Sequence, residues 1–254
     1  MVETRPEDLL HKSQLNRLLI EIVDEPLLAQ SLAFKGGTCA AMLGYLDRFS
    51  VDLDFDVIGD GKFIELRPVF HKIFDKLGMS ITLEFDKVLF FQLRYPSKPR
   101  QRSTLKVSAS DIVPKANRYK TEYFPEIDRL MSSQTIETMF GNKLVALTDR
   151  FKQHKTIAGR DMYDIHHFFI QGYTYNREVI QERTGLEPHE YFKELLEFIK
   201  SNVNQTIINE DLNSLLPTRQ FQQIRKILLP ETIALLEKAI HQNLSTHNST
   251  DQTK

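Results

Sequence analysis

Apolar residues recur at helical spacing near the start of the chain: Leu10, Leu15, Leu18, Leu19 and Ile22 share one side of a 3.6-residue period and predict a helix over 7–23. Leu32-Ala33-Phe34 is a short continuous apolar run that predicts a buried strand, and Gly36-Gly37 closes it in a turn. Ala40, Ala41, Leu43 and Leu46 restore the helical period, which then switches to two over 51–57, a strand. A further amphipathic helix is predicted over 62–77 from Ile64, Leu66, Val69, Phe70, Ile73 and Phe74. Strand-like runs follow at about 80–85, 88–95 and 104–109, with Pro96-Ser97-Lys98-Pro99 as a turn. From about 134 the pattern is helical, with helices predicted over 135–152, 161–172, 187–201 and 219–242, and with Pro217 and Pro230 near breaks or first turns. Met131-Ser132-Ser133-Gln134 reads as a polar joint between the two regions, and Ser245 to Lys254 contains no apolar residue and predicts disorder. The organisation is therefore α+β: a mixed β-sheet core flanked by helices over 1–132, a helical domain over 133–243, and a disordered tail over 244–254.

Composition narrows the class. The chain has 254 residues, enough for a substantial core, and its 33 basic and 34 acidic residues give no overall sign of a polyanion binder. The single cysteine, Cys39, cannot form an internal disulfide and suits a reducing cytosol, and its place just inside a helix suggests a packing residue. The charged N-terminus lacks the apolar centre of a signal peptide, and no run approaches the ~20 apolar residues of a membrane span. A cytoplasmic protein with no membrane partner is expected. Charge is uneven, however. Between Leu93 and Lys120 lie eight basic residues, Arg94, Lys98, Arg100, Arg102, Lys106, Lys115, Arg118 and Lys120, against Asp111 alone, a net of +7 in a chain whose total is −1. Two readings stand: a solvated edge whose cations discourage strand pairing, or a track for a polyanion with Tyr95 and Tyr119 available for stacking.

The chemistry concentrates between Lys35 and Asp56. Period two places Ser50, Asp52, Asp54 and Asp56 on one strand face and Phe49, Val51, Leu53 and Phe55 on the other. Adjacent carboxylates on one face repel by roughly a few kcal/mol, so a cation is expected among them. Mg²⁺ takes one or two carboxylates together with waters and substrate phosphates. Asp52 and Asp54 are the first candidates for metal ligands; Asp56 is weaker and reads equally as a solvent-facing strand end. Upstream, the Gly36-Gly37-Thr38 turn is either a plain strand–helix turn capped by threonine or a cradle of backbone N–H groups for phosphate, with Ser50 close enough along the strand to contact the same group.

These residues carry a specific resemblance. Gly-Gly-Thr, a helix and then Asp-x-Asp on the next strand is similar to the DNA polymerase β-type nucleotidyltransferase pattern. The fuller string Lys35-Gly36-Gly37-Thr38 … Arg48-Phe49-Ser50-Val51-Asp52-Leu53-Asp54-Phe55 resembles the AbiEii/AbiGii toxin family of bacterial type IV toxin–antitoxin and abortive-infection systems. Lys143-Leu144-Val145-Ala146-Leu147-Thr148-Asp149-Arg150 and Arg160-Asp161-Met162-Tyr163-Asp164-Ile165 match two further motifs of that family in order and spacing, so the similarity covers roughly residues 30–170. The resemblance implies a nucleotidyltransferase core, an NTP substrate held between the core and the helical domain, Mg²⁺ or Mn²⁺ as cofactor, and a separately encoded antitoxin as functional partner. It implies transfer of a nucleoside monophosphate to an RNA acceptor, with a tRNA 3′ end expected and DNA not expected. It assigns Asp52 and Asp54 to the metal, Gly36, Gly37, Thr38, Ser50 and Lys143 to the nucleotide, and a functional aspartate mapped first to Asp161 and then to Asp164. In some members the serine at position 50 can itself accept a phosphoryl group. Arg94, Arg100, Arg102, Lys115 and Arg118 are the candidates for RNA contact.

Several readings compete with these. Lys143 sits at the margin of the stripe formed by Ile136, Phe140, Leu144, Leu147 and Phe151, where a lysine either meets a partner or snorkels outward. Arg150 reads as a solvated charge, and Asp161 would favour a helix start for dipole reasons alone. Of His166 and His167, about 100° apart on a helix, one is expected to line the core and the other to be exposed. The third carboxylate common in polymerase β-type enzymes is missing from Thr104-Leu105-Lys106-Val107-Ser108-Ala109, leaving Glu84, Asp86 or Asp111 as substitutes, or a site that works with fewer ligands. That gap keeps two alternatives open: modification of a small-molecule or protein hydroxyl, and a non-catalytic nucleotide-binding protein on a degenerate core.

Overall fold

In the computed structural model, which describes residues 5–59, 63–98 and 101–250, the chain divides into two compact units, Met1–Val113 with Asn117–Thr135, and Pro114–Ala116 with Ile136–Lys254. The first unit opens with α1 (Leu9–Asp24) and α2 (Pro26–Ser31), continues through β1 (Leu32–Lys35) and α3 (Gly36–Met42), and reaches β2 (Leu53–Val57) and α4 (Phe63–Lys76). Five strands complete it: β3 (Ser80–Glu84), β4 (Leu89–Arg94), β5 (Thr104–Ser110), β6 (Tyr119–Phe124) and β7 (Arg129–Gln134). They form one seven-stranded sheet in the order β3-β4-β5-β2-β1-β7-β6. It is mixed, as expected: β2 runs parallel to β5 and β1 to β7, and the other neighbours are antiparallel.

The pleat separates an apolar face from a polar one. Leu53 and Phe55 of β2, Leu105 and Val107 of β5, and Phe91 and Leu93 of β4 are buried. Against Phe91 pack Phe70 and Phe74 of α4, with ring centroids at 5.3 and 5.0 Å. The opposite face carries Asp54, Asp56, Ser108, Lys106, Gln92 and Arg94, so alternation along each strand sets which residues meet helices and which form the polar face.

Four expectations change here. Met131 to Gln134 is not a joint but part of β7, with Ser133 and Gln134 buried; the sheet needs their backbone, and the Gln134 amide is accommodated inside by donating to Asp56 Oδ2 at 2.7 Å. Strand β2 begins at Leu53, so Ser50 and Asp52 precede it in an irregular approach. Asp56 does not face solvent: it is 1 % exposed. Tyr95 is also buried, at 2 %, its hydroxyl against His11 Nδ1 at 2.6 Å and the Arg102 carbonyl at 2.9 Å, and so cannot stack on a base. Burial lowers the His11 pKa to about 4, so the imidazole is neutral at pH 7.

The second unit is helical: α5 (Ile136–His154), α6 (Gly159–Ile170), α7 (Arg177–Thr184), α8 (Pro188–Asn202), α9 (Gln205–Leu212), α10 (Thr218–Ile224) and α11 (Leu228–Thr250). Phe140, Leu144 and Leu147 of α5 and Ile165 and Phe168 of α6 line its core. Helix α11 continues to Thr250, beyond the end of the helical domain expected at 243; residues 251–254 lie outside the described residues.

Candidate active site

The turn between β1 and α3 is shaped by its two glycines. Gly36 adopts φ +79°, and a Cβ there would stand 2.9 Å from Asp54 Oδ2. A Cβ on Gly37 would stand 2.7 Å from Arg48 Nη2 and 3.0 Å from Ser50 Oγ. The turn thus brings bare backbone against the Asp54 carboxylate, the buried Arg48 guanidinium and the Ser50 hydroxyl together. Thr38 is not a helix cap: its hydroxyl donates to the Asp52 backbone carbonyl at 2.5 Å and fixes the approach to β2. Gly36→Ala should therefore lower stability by about 1–2 kcal/mol through its left-handed backbone alone, and should displace Asp54 as well; thermal melts with and without Mg²⁺ check both effects.

Asp52 and Asp54 are both half-buried. Asp54 sits opposite Lys35 on β1 and Ser108 on β5, and Ser108 Oγ donates to Asp54 Oδ1 at 2.6 Å. The strand position where a third carboxylate was sought thus holds a hydroxyl that orients the second one. Of the substitutes considered, Glu84 is engaged by Arg67 and by His71 at 3.0 Å on the outermost strand. Among the described residues, no cluster of three or more His, Cys, Asp or Glu side chains could hold a metal. Two half-buried carboxylates are nonetheless the hard oxygen ligands that a divalent cation of the Mg²⁺ type takes beside water and phosphate oxygens.

Asp56, on the same face and two residues on, is a structural hub. Its Oδ1 accepts from Lys35 Nζ at 2.6 Å, and its Oδ2 accepts from Gln134 Nε2 at 2.7 Å, Tyr119 OH at 2.8 Å and Asn117 Nδ2 at 3.1 Å. With both oxygens so occupied it ties β2 to β1 and β7. Burial, followed by the Asp56 charge, pushes the Tyr119 phenol well above its ordinary value, and its hydroxyl is held inward by the carboxylate. Lys35, adjacent to the glycine turn, was not singled out from sequence. Cys39 is buried, and burial pushes its thiol well above the ordinary range, as a packing residue requires.

The second unit gathers the other motif residues. Lys143 Nζ lies 2.8 Å from Asp161 Oδ1 and 2.9 Å from Asp164 Oδ2, and Arg150 Nε lies 3.2 Å from Asp161 Oδ2. Asp161 and Asp164 are 1 % and 0 % exposed. Burial alone would raise the Asp161 pKa, but Lys143 and Arg150 outweigh it and hold the carboxyl at about 2. Lys143 therefore has protein partners, and Arg150 is not simply a solvated charge. His166 is buried with Nε2 at 2.8 Å from Glu231, and His167 is half-buried against Tyr163.

The candidate RNA contacts stand in different local settings. Arg94 ends β4 and is exposed; Arg102 lies 3.5 Å from the buried Asp8 carboxylate; Arg118 is exposed in a loop; and Arg100 lies outside the described residues. Lys115 belongs to the second unit, where its backbone N–H donates to Glu182 at 2.8 Å.

The model of the nucleotidyl transferase AbiEii toxin family, of type IV toxin–antitoxin systems, matches residues 17–236. The chain belongs to this family. As an AbiEii-family nucleotidyltransferase it falls in a class that generally uses an NTP with a divalent metal, and whose toxins act opposite a separate antitoxin. Among solved structures, JHP933 of Helicobacter pylori is 20% identical, with a TM-score of 0.57 over 98% of this chain and 100% of its own. A second H. pylori protein, provisionally named a nucleotidyltransferase, is 21% identical, with a TM-score of 0.59 over 96% of this chain and 98% of its own. At these identities the likeness establishes fold. A comparison with curated proteins finds no match. Among the described residues, no helix is long and apolar enough to cross a membrane.

Proposed function

We propose that this AbiEii-family protein is a Mg²⁺-dependent toxin that transfers a nucleoside monophosphate from an NTP to an RNA hydroxyl, with a tRNA 3′ end as acceptor and growth arrest or phage abortion as the outcome. The observation that carries the reading is the Asp54 carboxylate set against Gly36, with Ser50 against Gly37, Ser108 orienting Asp54, and the half-buried Asp52 tied to the same turn through its backbone carbonyl and Thr38. Asp52 and Asp54 would hold the divalent ion, which neutralises charge developing on the triphosphate. The backbone of Gly36 and Gly37 offers close approach to phosphate oxygens without a side chain in the way. In the transfer, the acceptor oxygen forms a new bond to the α-phosphorus as the bond to pyrophosphate breaks, and the hydroxyl proton leaves to water.

Incubating the protein with total tRNA and each labelled NTP in Mg²⁺ tests the reading. Extended RNA with at least one NTP is expected; no extension with any of the four would rule out an RNA acceptor. The basic segment supports the same acceptor through two exposed cations on the open sheet face, Arg94 and Lys106. Replacing both with Gln should weaken RNA binding and flatten its salt dependence by up to about two log-slope units. Arg102 is unsuited to this test because its loss would strand the buried Asp8. An unchanged slope in the Arg94 and Lys106 double variant would remove this face from RNA contact.

A further inference from the structure

The sheet register aligns a row of residues across four strands on the polar face. Phe90 of β4 is opposite Ser108 of β5, Ser108 is opposite Asp54 of β2, and Asp54 is opposite Lys35 of β1. On the far side of Phe90, the Phe85 ring stands 5.3 Å away at a tilt of 38°, just past the end of β3. Phe91 points the other way into the α4 core, and Glu84 meets Arg67 and His71 on the α4 side, so the Phe85–Phe90 pair belongs to the face that bears Asp54. Phe85 is 48 % exposed, and its neighbours Leu83 and Val88 are 41 % and 44 % exposed. An apolar strip on an outermost strand is an aggregation liability unless something covers it.

We infer that Phe85 and Phe90 form a stacking platform for the terminal base of a single-stranded RNA acceptor. Neighbouring strands lie about 4.8 Å apart, so Phe90 is about 10 Å and Phe85 about 14 Å from the Asp54 strand. That separation is near the reach of one terminal nucleotide, from its reacting hydroxyl to the far edge of its base. The next row along the face adds an exposed cation for phosphate: Lys106 lies opposite Gln92, whose side-chain amide donates to Thr82 Oγ1 at 3.2 Å. Arg94, opposite Thr104, extends the positive charge by one further row. Aromatic surface beside exposed cations and aligned with Asp54 suits a nucleic-acid end better than a second apolar protein surface. The inference rests on the RNA-acceptor reading above and adds the residues that position the acceptor.

The test uses the full chain and two fluorescein-labelled single-stranded oligoribonucleotides, one intact and one lacking the base of its 3′-terminal nucleotide, followed by anisotropy. Wild type should bind the intact strand about 5- to 100-fold more tightly, the scale of one base–aromatic stack. Phe85→Ala should lose most of that preference, Phe85→Trp should keep it, and NTP affinity should be the same in all three. Phe85 is exposed, so its truncation should leave the thermal melt nearly unchanged. Equal binding of the two strands by wild type, or an undiminished preference in Phe85→Ala, would overturn the platform. Self-association that disappears in Phe85→Ala with RNA affinity unchanged would assign the strip to a second copy of the chain and overturn it too. Because binding is read separately from transfer, a Phe85-dependent preference without RNA extension would sink the reaction and not the platform.

Discussion

Asp54→Ala and Asp52→Ala are each expected to lower nucleotide transfer by on the order of 10³-fold or more, the loss expected when several kcal/mol of charge stabilisation at the triphosphate is removed. Neither should unfold the protein. Asp52 is held through its backbone carbonyl by Thr38, which the substitution leaves in place, and Asp54 is half-buried with Ser108 as its side-chain partner. Removing a carboxylate also relieves like-charge repulsion, so the melting temperature without metal should hold or rise slightly. Mg²⁺ should stabilise wild type and not the variants. Asp56→Ala supplies the contrast from the same strand face. It would leave Lys35 without its buried partner and Gln134, Tyr119 and Asn117 without their acceptor, a loss of about 3–5 kcal/mol by the precedent of broken buried pairs. Inactive protein with a wild-type melt for Asp52 and Asp54, beside a destabilised Asp56 variant, is the expected pattern. Normal transfer by either of the first two variants would end the metal-site assignment.

The difference between Asp54 and Asp56 shows where sequence was legible and where it was not. Alternation placed both carboxylates on one face, and the alternation is real. Which of them is tied into the fold depends on partners far along the chain, Asn117, Tyr119 and Gln134, that no local pattern connects to Asp56. The same blindness hid β6 and β7. Tyr119 to Phe124 and Arg129 to Gln134 are too polar to read as strands, and their stability comes from pairing with each other and with β1 rather than from an apolar period. The strongly periodic elements, α1, α4 and α5 with β4 and β5, were readable because each buries a continuous face of its own. Short α7 carried a signal that went unused: Asn176 caps it by accepting from the Glu178 N–H, and Gly185 ends it at φ +75°. Phe85 and Phe90 fall within strand-like runs that carry no sign of a site, and only the register across β4, β5 and β2, with the ring contact between them, sets them in line with Asp54.

Lys143→Ala should unfold or severely loosen the second unit. The lysine would be expected to matter little to the free protein if a nucleotide were its only partner, but it lies within 2.9 Å of two carboxylates that are almost wholly buried. Its removal leaves Asp161 with Arg150 and Asp164 close by as a second negative charge, and breaking such a buried pair costs about 3–5 kcal/mol. Arginine at the same position keeps the charge but not the compact shape, so Lys143→Arg should fall between the two. Acid provides an independent check. The folded-state pKa of Asp161 is depressed from 3.8 to about 2, so its contribution to stability is fully present above about pH 4 and is lost as the pH falls toward 2. By linkage that contribution is on the order of 2 kcal/mol at neutral pH. In Lys143→Ala the depression should largely vanish, and the acid limb of the stability profile should flatten accordingly. Chemical denaturation of wild type and variant at pH 7 and pH 3 measures both effects. Equal stability at pH 7 would mean that the triad contributes nothing to the fold, leaving Lys143 free for another role.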